Sequence, residues 1–335
     1  MINNTFGIDI GTSNIRIYNQ ADNSFFMEKN MIAIENKNTL LAYGDSAYDM
    51  FEKAPGNIHT SFPVTNGVIA DINNMETLVK RFISDLSGGS PKPADYVISV
   101  PTDVTEVEKR AFYDLIKDAG VKARKILVVE KAVADGLGLG IDVKNSRGVM
   151  VVNVGYATTE ISIFSLGGIV LSKLIKIGGF AFDNDIANAI RKEYNLIIGK
   201  KSAERIKINL TELEKSGDSA LCFGRDIVTG LPIEQSIPTD FIDNCMTDSF
   251  AHIIDNIKVI LERTPPELGA DIYRHGIYLT GGASQVSNLG ALIAKGTGIK
   301  VNMCEDPINS VVLGLSKVIN EDKYRKLAYT IEGKK

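Results

Sequence analysis

Apolar and polar positions alternate in two stretches of the chain that resemble each other, residues 7–18 and, about 144 residues later, residues 151–164. In each stretch an apolar strand that carries one acid or amide leads into a turn of glycine and small hydroxyl residues. An alternating strand follows the turn. The repeated pattern predicts a duplicated fold with a β-hairpin at the start of each half.

The remaining pattern predicts strands alternating with helices, which is typical of an α/β protein. In the first half we expect strands over 6–18, 25–34, 96–100 and 125–130, and helices over 74–86 and from Asp103, with Glu106 as its capping partner, to Gly120. In the second half we expect a hairpin over 148–164, a strand over 168–177, helices over 182–194 and 201–214, a strand-rich insertion over 217–238, one long helix over 239–262, and a strand over 276–280 that runs directly into a helix.

Composition narrows the class of protein. The chain has 335 residues, which favours about two domains, and it is 44% apolar and 23% charged with a net charge of −4. No basic face dominates, so we expect no nucleic-acid partner. The cysteines and histidines are dispersed, which argues against zinc and disulfides and is typical of a reducing cytosol. No apolar run approaches a membrane span and no signal peptide is apparent.

The two turns are the candidate chemistry, because the backbone N–H groups of such turns converge on phosphate. The first turn contains Gly11, Thr12, Ser13 and Asn14, and the second contains Gly155, Tyr156, Ala157 and Thr158.

Two charged residues belong to the first turn and its strands. Asp9 precedes the turn, where it either positions Mg²⁺ through water or caps its own turn. The cost of an acid in an apolar strand favours the metal. Arg16 lies on the same side of its strand as Asn14 and either complements phosphate charge or faces solvent.

Eight collinear stretches resemble the actin, sugar kinase and heat-shock chaperone ATPase superfamily, and within it the MreB family of bacterial cell-shape actins. They cover roughly residues 6–320 in the family's order. The stretches are 67–71, 100–110, 158–160, 165–170, 198–199, 203–207, 264–268 and 279–282.

The resemblance implies an actin-like duplicated two-lobe α/β fold with ATP or ADP and Mg²⁺ in the cleft between the lobes. The first lobe would be 1–145 with an insert at 33–66, and the second 146–320 with an insert at 179–249. The tail, 321–335, would include a helix that returns to the first lobe. The implied function is an ATP-binding cytoskeletal protein that forms head-to-tail filaments, determines cell shape and scaffolds cell-wall synthesis with membrane-associated partners.

The resemblance also assigns residues. Glu130 would orient the water that attacks the γ-phosphate, unless it is a surface glutamate in a salt bridge. Glu204 and Lys207 would contact the ribose and base, unless they form a plain intrahelical ion pair. The turn against the adenosine would consist of Gly281, Gly282, Ala283 and Ser284.

Two departures from the family affect the chemistry. Lys131 replaces the family's proline after the glutamate, and Asn153 replaces its second aspartate, which would hold Mg²⁺ together with Asp9. We therefore expect nucleotide binding with slow ATP hydrolysis, and faster turnover after Asn153→Asp. The alternatives are a nucleotide-binding scaffold or regulator without turnover and a small-molecule kinase of the same superfamily.

Membrane contact is expected to be indirect. Relatives insert an N-terminal amphipathic helix or an apolar loop, whereas only five residues precede Phe6 and the loop 87–93 has no apolar tip. We expect a cytoplasmic protein that reaches the inner face of the membrane through partners.

Overall fold

The computed structural model describes residues 4–286 and 288–331. The first half of the chain forms the following elements: β1 (Thr5–Ile10), β2 (Asn14–Asn19), β3 (Ser24–Lys29), β4 (Ile32–Glu35), β5 (Thr39–Tyr43), α1 (Gly44–Met50), β6 (Ile58–Ser61), β7 (Val64–Thr65), β8 (Val68–Ile69), α2 (Ile72–Leu86), β9 (Ala94–Val100), α3 (Glu106–Asp118), β10 (Ala123–Glu130) and α4 (Lys131–Gly138).

The second half repeats this order with a larger insertion. Its elements are β11 (Val149–Val154), β12 (Thr159–Ser165), β13 (Gly168–Ile175), α5 (Gly179–Tyr194), β14 (Leu196–Ile197), α6 (Lys200–Ser216), β15 (Ala220–Asp226), β16 (Pro232–Ile237), α7 (Thr239–Cys245), α8 (Thr247–Glu262), α9 (Pro266–His275), β17 (Ile277–Thr280), a 3₁₀ turn (Gly282–Gln285), α10 (Leu289–Thr297), β18 (Val301–Met303), α11 (Ser310–Asn320) and a second 3₁₀ turn (Asp322–Leu327).

Two five-stranded sheets share one topology. Their strand orders are β10-β9-β1-β2-β3 and, written from the equivalent edge, β18-β17-β11-β12-β13. In each sheet the first strand pairs antiparallel with the next strand along the chain and parallel with a strand that arrives much later. The duplication predicted from the two alternating stretches is therefore confirmed at the level of strand pairing.

Several predicted boundaries were wrong, each for a local reason. Helix α3 is capped by Thr105 and Glu108, which form a full capping box. Asp103 instead accepts a hydrogen bond from the backbone N–H of Leu174, at 3.0 Å in the second half. The predicted strand 25–34 is interrupted at Asn30, whose backbone N–H donates to Ser13 O at 2.8 Å.

The long helix predicted over 239–262 was also wrong, because it breaks at Met246. This residue leaves the helical conformation at ψ 0° and is fully buried, so the break directs it into the core. The helix predicted directly after Gly282 is only a 3₁₀ turn, and α10 begins at Leu289.

The described residues form three large hydrophobic clusters and a small fourth cluster of Met31, Ala33 and Ala47. Of the large clusters, one lies around the first sheet, one lies around the second, and the third joins them through α4 and α11. The α4–α11 contact is close, since an ideal Cβ on Gly314 would lie 1.7 Å from Ala134 O and one on Gly138 would lie 1.8 Å from Ser310 O. Helix α11 also packs on β1, β2 and β9.

Small sheets decorate both halves. Strands β5, β4 and β6 form one within the first predicted insert, and β14, β15 and β16 form another within the second. Nowhere in the described residues does a helix combine the length and the apolar character needed to span a bilayer. The lobe boundaries drawn from the sequence stay a prediction.

Candidate functional site

The two predicted turns have matching geometry. In the first, the backbone N–H of Gly11 donates to Asn14 O at 3.0 Å, and in the second that of Gly155 donates to Thr158 O at 2.8 Å. Both turns join the two antiparallel strands that begin their sheets. The pairing places the residues of the two turns in equivalent positions of the duplicated fold.

Tyr156 and Ala157, the two middle residues of the second turn, fit its backbone. Neither Tyr156 nor Ala157 has a positive φ. Glycine is therefore not needed for conformational reasons at either position. The substitution at 157 leaves the turn intact.

Asn30 clamps the first turn. Its side-chain Nδ2 donates to Gly11 O at 2.8 Å, while its backbone N–H bonds to Ser13 O. Lys29 adds a cation, since its Nζ lies 3.3 Å from Ser13 Oγ. Ser13 is buried, and Thr12 and Asn14 are partly exposed. The two residues at the β3–β4 junction therefore fix the first turn, although the sequence did not single them out.

The two equivalent hairpins carry different charges at the paired position just before each turn. Asp9 lies opposite Arg16 across the first hairpin, and Asn153 lies opposite Glu160 across the second. The duplication thus preserves the backbone geometry and changes the electrostatics. A ligand between the turns would meet an acid–base pair on one side and an amide–acid pair on the other.

Asp9 is buried and surrounded by donors. The hydroxyl of Ser99 donates to its Oδ1 at 2.7 Å, Lys131 Nζ lies 3.6 Å from Oδ1, and Arg16 Nη1 lies 3.6 Å from Oδ2. Burial opposes its charge, but Lys131, Arg16 and Ser99 outweigh burial and hold the Asp9 pKa below its ordinary value. Asp9 is therefore ionised and neutralised by two cations.

Asn153 is paired with an acid that the sequence did not single out. Its Nδ2 donates to Asp135 Oδ2 at 2.6 Å, and the hydroxyl of Thr280 donates to the same oxygen at 2.6 Å. Burial raises the pKa of Asp135, and the hydrogen bonds from Asn153, Ser310 and Thr280 oppose that rise. The second turn therefore has a carboxyl group one hydrogen bond away from the position where the family has its aspartate.

Glu160 connects the two halves at the base of the cleft. It accepts hydrogen bonds from the backbone N–H of Thr102 at 3.3 Å and from the Thr102 hydroxyl. Burial raises the pKa of Glu160 to about 7, against the opposing effects of Lys131 and Thr102. This carboxyl group can change its charge near neutral pH.

Glu130 lies at the end of β10 but its partners lie elsewhere. Lys109 Nζ is 2.9 Å from its Oε1, and the hydroxyl of Tyr329 donates to the same atom at 2.7 Å. Tyr329 is itself held by two backbone hydrogen bonds to Val128. The next residue, Lys131, is the one that reaches Asp9. Both partners use Oε1, whereas the buried Oε2 of Glu130 has no hydrogen-bond partner within the described residues.

The residues assigned to the adenosine have separate partners. Lys207 is buried, with its Nζ 2.7 Å from Asp183 Oδ1 and 2.9 Å from Gly179 O. Glu204 accepts a hydrogen bond from the Tyr48 hydroxyl and lies 3.6 Å from Lys29 Nζ. The predicted alternative of a pair between Glu204 and Lys207 is therefore not what holds them.

The turn after β17 completes the pocket. Gly281 has a φ of +86°, and an ideal Cβ there would lie 2.4 Å from Val154 O, so only glycine fits. Ser284 Oγ donates to Gly281 O at 2.7 Å, and an ideal Cβ on Gly179 would lie 3.3 Å from Ala283 Cβ. Gly282 starts the 3₁₀ turn. The start of α5 and this turn therefore face each other closely.

Contacts between the two halves of the chain form a group that we call the mouth clasp. Its members are Tyr48 and Glu52 on one side and Lys200, Lys201 and Glu204 on the other. Glu52 accepts hydrogen bonds from the backbone N–H groups of Lys200 at 3.1 Å and Lys201 at 3.4 Å, and Lys201 Nζ donates to Tyr48 O.

Aromatic side chains extend this bridge. The ring of Tyr156 lies 5.8 Å from that of Phe62 and 5.6 Å from that of Phe180. Tyr156 therefore packs between the two halves.

The donor set fits phosphate better than a resident divalent ion. The described part of the chain has no group of three or more His, Cys, Asp or Glu side chains placed to share a metal. Both oxygens of Asp9 face cations, and Asn153 donates to Asp135. These contacts do not fit Mg²⁺ held by Asp9 and Asn153, the pair named from the sequence.

Two of the site residues that the sequence did not single out, Glu160 and Asp135, carry a detectable signal. The argument that an acid in an apolar strand needs a partner was applied to Asp9 and holds equally for Glu160 and for Asp135 in the apolar helix α4. Ser99 and Thr280 carry no such signal, because single hydroxyl residues in strands are common.

The duplicated sheets, the core of α4 and α11 that joins them, and the paired turns define an actin-like protein. A model of the MreB/Mbl protein family matches residues 3–327, so the chain belongs to that family. The resemblance noted in the sequence and the actin-like fold are thereby confirmed.

Relatives extend over the whole chain. The cell shape-determining protein Mbl of Bacillus subtilis (strain 168) is 35% identical over 326 residues, covering 96% of this chain and 97% of Mbl. The cell shape-determining protein MreB of Escherichia coli (strain K12) is 34% identical over 330 residues, covering 95% of this chain and 94% of MreB.

Solved structures agree with the fold. MreB5 of Spiroplasma citri bound to AMPPNP has a TM-score of 0.89 and 34% identity, covering 97% of this chain and 98% of that one. The same protein has also been solved bound to ADP. A MamK double helical filament has a TM-score of 0.76 at 20% identity, covering 95% of this chain and 99% of that one, which supports the fold alone.

Proposed function

We propose that the chain binds ATP or ADP in the cleft between its two halves. The observation that carries the proposal is the pair of equivalent turns, closed by the Gly11–Asn14 and Gly155–Thr158 hydrogen bonds. The turn at Gly281 and the buried Lys207 add a place for the adenosine. The nucleotide-bound structures of S. citri MreB5 support this assignment.

Of the two cofactors expected from the sequence, we propose that the chain binds the nucleotide, and we do not propose a Mg²⁺ ion at Asp9. Asp9 is neutralised by Arg16 and Lys131, so a divalent ion there would approach two positive charges.

Nucleotide binding is tested by thermal unfolding of the chain with ATP, ADP and neither. A ligand at ~100 times its Kd stabilises the folded state by about 2.7 kcal/mol. The absence of any stabilisation by either nucleotide would contradict the proposal.

The second part of the proposal is self-assembly into head-to-tail filaments in cell-shape determination. Relatives at 34–35% identity are named cell shape-determining proteins, and a protein of the same fold has been solved as a filament. A head-to-tail contact uses two different surfaces and does not close, so it propagates. Exposed apolar side chains on the β15–β16 hairpin, Leu221, Phe223, Val228 and Leu231, offer one such surface.

Partners would place the filament at the inner face of the membrane, where cell-wall synthesis and cell-shape proteins act. The loop 87–93 supports indirect contact, because its residues are polar or small and its Pro91 is buried. Flotation of the pure protein with anionic liposomes tests this part. Robust co-flotation would contradict it.

Slow hydrolysis completes the proposal, and an alternative without turnover has one observation in its favour. Glu130 is held by Lys109 and Tyr329 and not by either turn. A pelleting assay with ATP, ADP and no nucleotide, with phosphate release measured in parallel, separates the two functions. Filaments that form with ATP and release no phosphate would identify a scaffold without turnover.

A further inference from the structure

We infer that Lys131, together with Arg16, supplies the positive charge that a bound polyphosphate would otherwise take from Mg²⁺, so that the chain binds ATP without a divalent metal. The inference rests on the proposed nucleotide binding and deepens it. It concerns the counter-charge in the cleft and not the rate of hydrolysis.

The first support is the position of the two cations. Lys131 Nζ and Arg16 Nη1 lie on the two carboxylate oxygens of Asp9, each at 3.6 Å. Their side chains are 23% and 14% exposed, whereas that of Asp9 is 3% exposed. The cations therefore lie on the accessible side of the buried acid. The trio of Asp9, Arg16 and Lys131 carries a net charge of +1. Asp306 also interacts with Arg16, and Asp135 and Glu160 also interact with Lys131.

The second support is the Arg16 guanidinium, which lies at the first turn and has an N–H donor without a partner. An ideal Cβ on Gly11 would lie 3.9 Å from Arg16 Nη1, which places the guanidinium against the turn itself. Within residues 4–286 and 288–331, the buried Nε of Arg16 has no hydrogen-bond partner. At 3.6 Å both contacts to Asp9 are ion pairs longer than a normal hydrogen bond, so each cation keeps N–H donors for a second anion. Phosphate oxygens would satisfy them.

The third support is the chain direction at the end of β10. Glu130 reaches Lys109 and Tyr329, whereas Lys131, the first residue of α4, reaches Asp9. A proline at position 131, as the family resemblance implies, would place no charge there. Lys131 is therefore a charge that this chain adds to the base of its cleft.

A divalent ion at this position would be opposed. Arg16 and Lys131 each lie 3.6 Å from Asp9, and like charges a few ångströms apart repel strongly in a partly buried site. Asn153 offers only a dipole, and its amide N–H donates to Asp135. The same arrangement that disfavours a metal favours phosphate anions.

The experiment is a calorimetric titration of the full chain with ATP, once with excess Mg²⁺ and once with EDTA. We expect the wild-type Kd in EDTA to stay within about tenfold of the Kd with Mg²⁺, that is within about 1.4 kcal/mol. Lys131→Met should weaken ATP binding in EDTA by more than about tenfold and weaken it less with Mg²⁺. Lys131→Arg, which keeps the charge, should restore binding in EDTA.

The matched control is Lys80→Met, which removes one positive charge from the exposed surface of α2 and should leave both Kd values unchanged. Circular dichroism and thermal unfolding first establish that each variant folds. If Lys131→Met does not fold, the comparison of the wild-type Kd values with Mg²⁺ and with EDTA decides the question, because it needs no variant.

The outcomes separate the two proposals. Tight wild-type binding with Mg²⁺ that is lost in EDTA overturns this inference and leaves nucleotide binding standing. A Lys131→Met variant that binds in EDTA as tightly as the wild type also overturns it. No binding in either buffer contradicts the proposed function itself.

Discussion

The Asn153–Asp135 pair changes what the second turn can be expected to do. From the sequence, Asn153 is a lost negative charge and Asn153→Asp should restore turnover. In the structure, the amide donates to Asp135 at 2.6 Å, so a second carboxylate at position 153 would face the first. Two carboxylates at that distance cannot both ionise without cost.

We therefore expect Asn153→Asp alone to lower the free energy of unfolding at pH 7 by about 2 kcal/mol, as for a buried group left without its partner. The exchanged double variant, Asn153→Asp with Asp135→Asn, restores one acid and one amide and should recover most of that loss. Urea unfolding of the wild type, the single variants Asn153→Asp and Asp135→Asn, and the double variant measures the coupling. A stable single variant with no recovery in the double variant would show that the two side chains do not interact.

Glu160 predicts a pH dependence of stability. Burial raises its pKa from the ordinary 4.5 to about 7. Between these values the folded state holds a proton that the unfolded state has released, so the free energy of unfolding falls as pH rises through that window. The size of the effect is on the order of 1–3 kcal/mol.

Glu160→Gln should abolish this part of the pH dependence, because the neutral amide does not titrate. We expect the wild type to lose more stability than the variant between pH 5 and pH 8, as measured by urea midpoints. Asp183, whose pKa burial also raises, to about 6, is present in both proteins and cancels. Parallel pH profiles for the two proteins would contradict the buried, titrating role of Glu160.

At the scale of elements, α4 and α11 depend on a glycine at each point of closest approach. An ideal Cβ on Gly314 would lie 1.7 Å from Ala134 O, a backbone atom that cannot move away alone. We expect Gly314→Ala to destabilise the protein by about 3 kcal/mol or more, or to prevent folding, because the crossing must open.

Gly269 is the matched control. It lies inside α9 and an added Cβ would meet nothing within 4 Å. Gly269→Ala should stabilise the protein by about 0.5–1 kcal/mol, since alanine favours the helix and restricts the unfolded chain. Thermal unfolding of both variants tests the pair. Equal effects of Gly314→Ala and Gly269→Ala on thermal stability would mean that α4 and α11 do not pack closely at Gly314.

Elements with a strong local pattern were predictable, and those decided by distant contacts were not. The hairpins at both turns and α2 follow from alternation and helical spacing within a few residues. The break at Met246 follows from the fit of one side chain into the core. The cap of α3 shifted to Thr105 because Asp103 bonds to Leu174, which is far away in sequence.

The same distinction holds at the candidate site. The local sequence identifies Asp9 as an acid in an apolar strand and identifies the glycines as turn residues. The positions of Glu130 and Lys131 depend on where each side chain finds a partner at the end of β10, and no spacing encodes that choice. The sequence therefore predicted the turns well and left the electrostatics of the cleft open.

At the scale of the whole molecule, the mouth clasp joins the two halves in addition to the packing of α4 and α11. Glu52 accepts hydrogen bonds from the first backbone N–H groups of α6, whose own N-cap, Gly199, has no side chain. A carboxylate at a helix start is favourable for both hydrogen bonding and the helix dipole. Because this cap comes from the other half of the chain, opening the cleft would remove it.

Loss of the clasp should therefore speed nucleotide exchange more than it affects folding. We expect Glu52→Ala to lower the free energy of unfolding by only about 1 kcal/mol, the usual size of a lost cap. The dissociation rate of a bound nucleotide should rise about fivefold, since the same loss favours the open cleft. Stopped-flow displacement of a fluorescent ATP analogue by excess ATP measures the rate.

The control for Glu52→Ala is Glu212→Ala, which removes an acid from an exposed pair with Lys215 on the same helix, away from the clasp. It should leave the dissociation rate at the wild-type value. Equal rates for the wild type and both variants would show that the clasp does not hold the cleft shut. An increase confined to Glu52→Ala would instead place control of exchange in the mouth clasp, independent of how Glu130 is positioned.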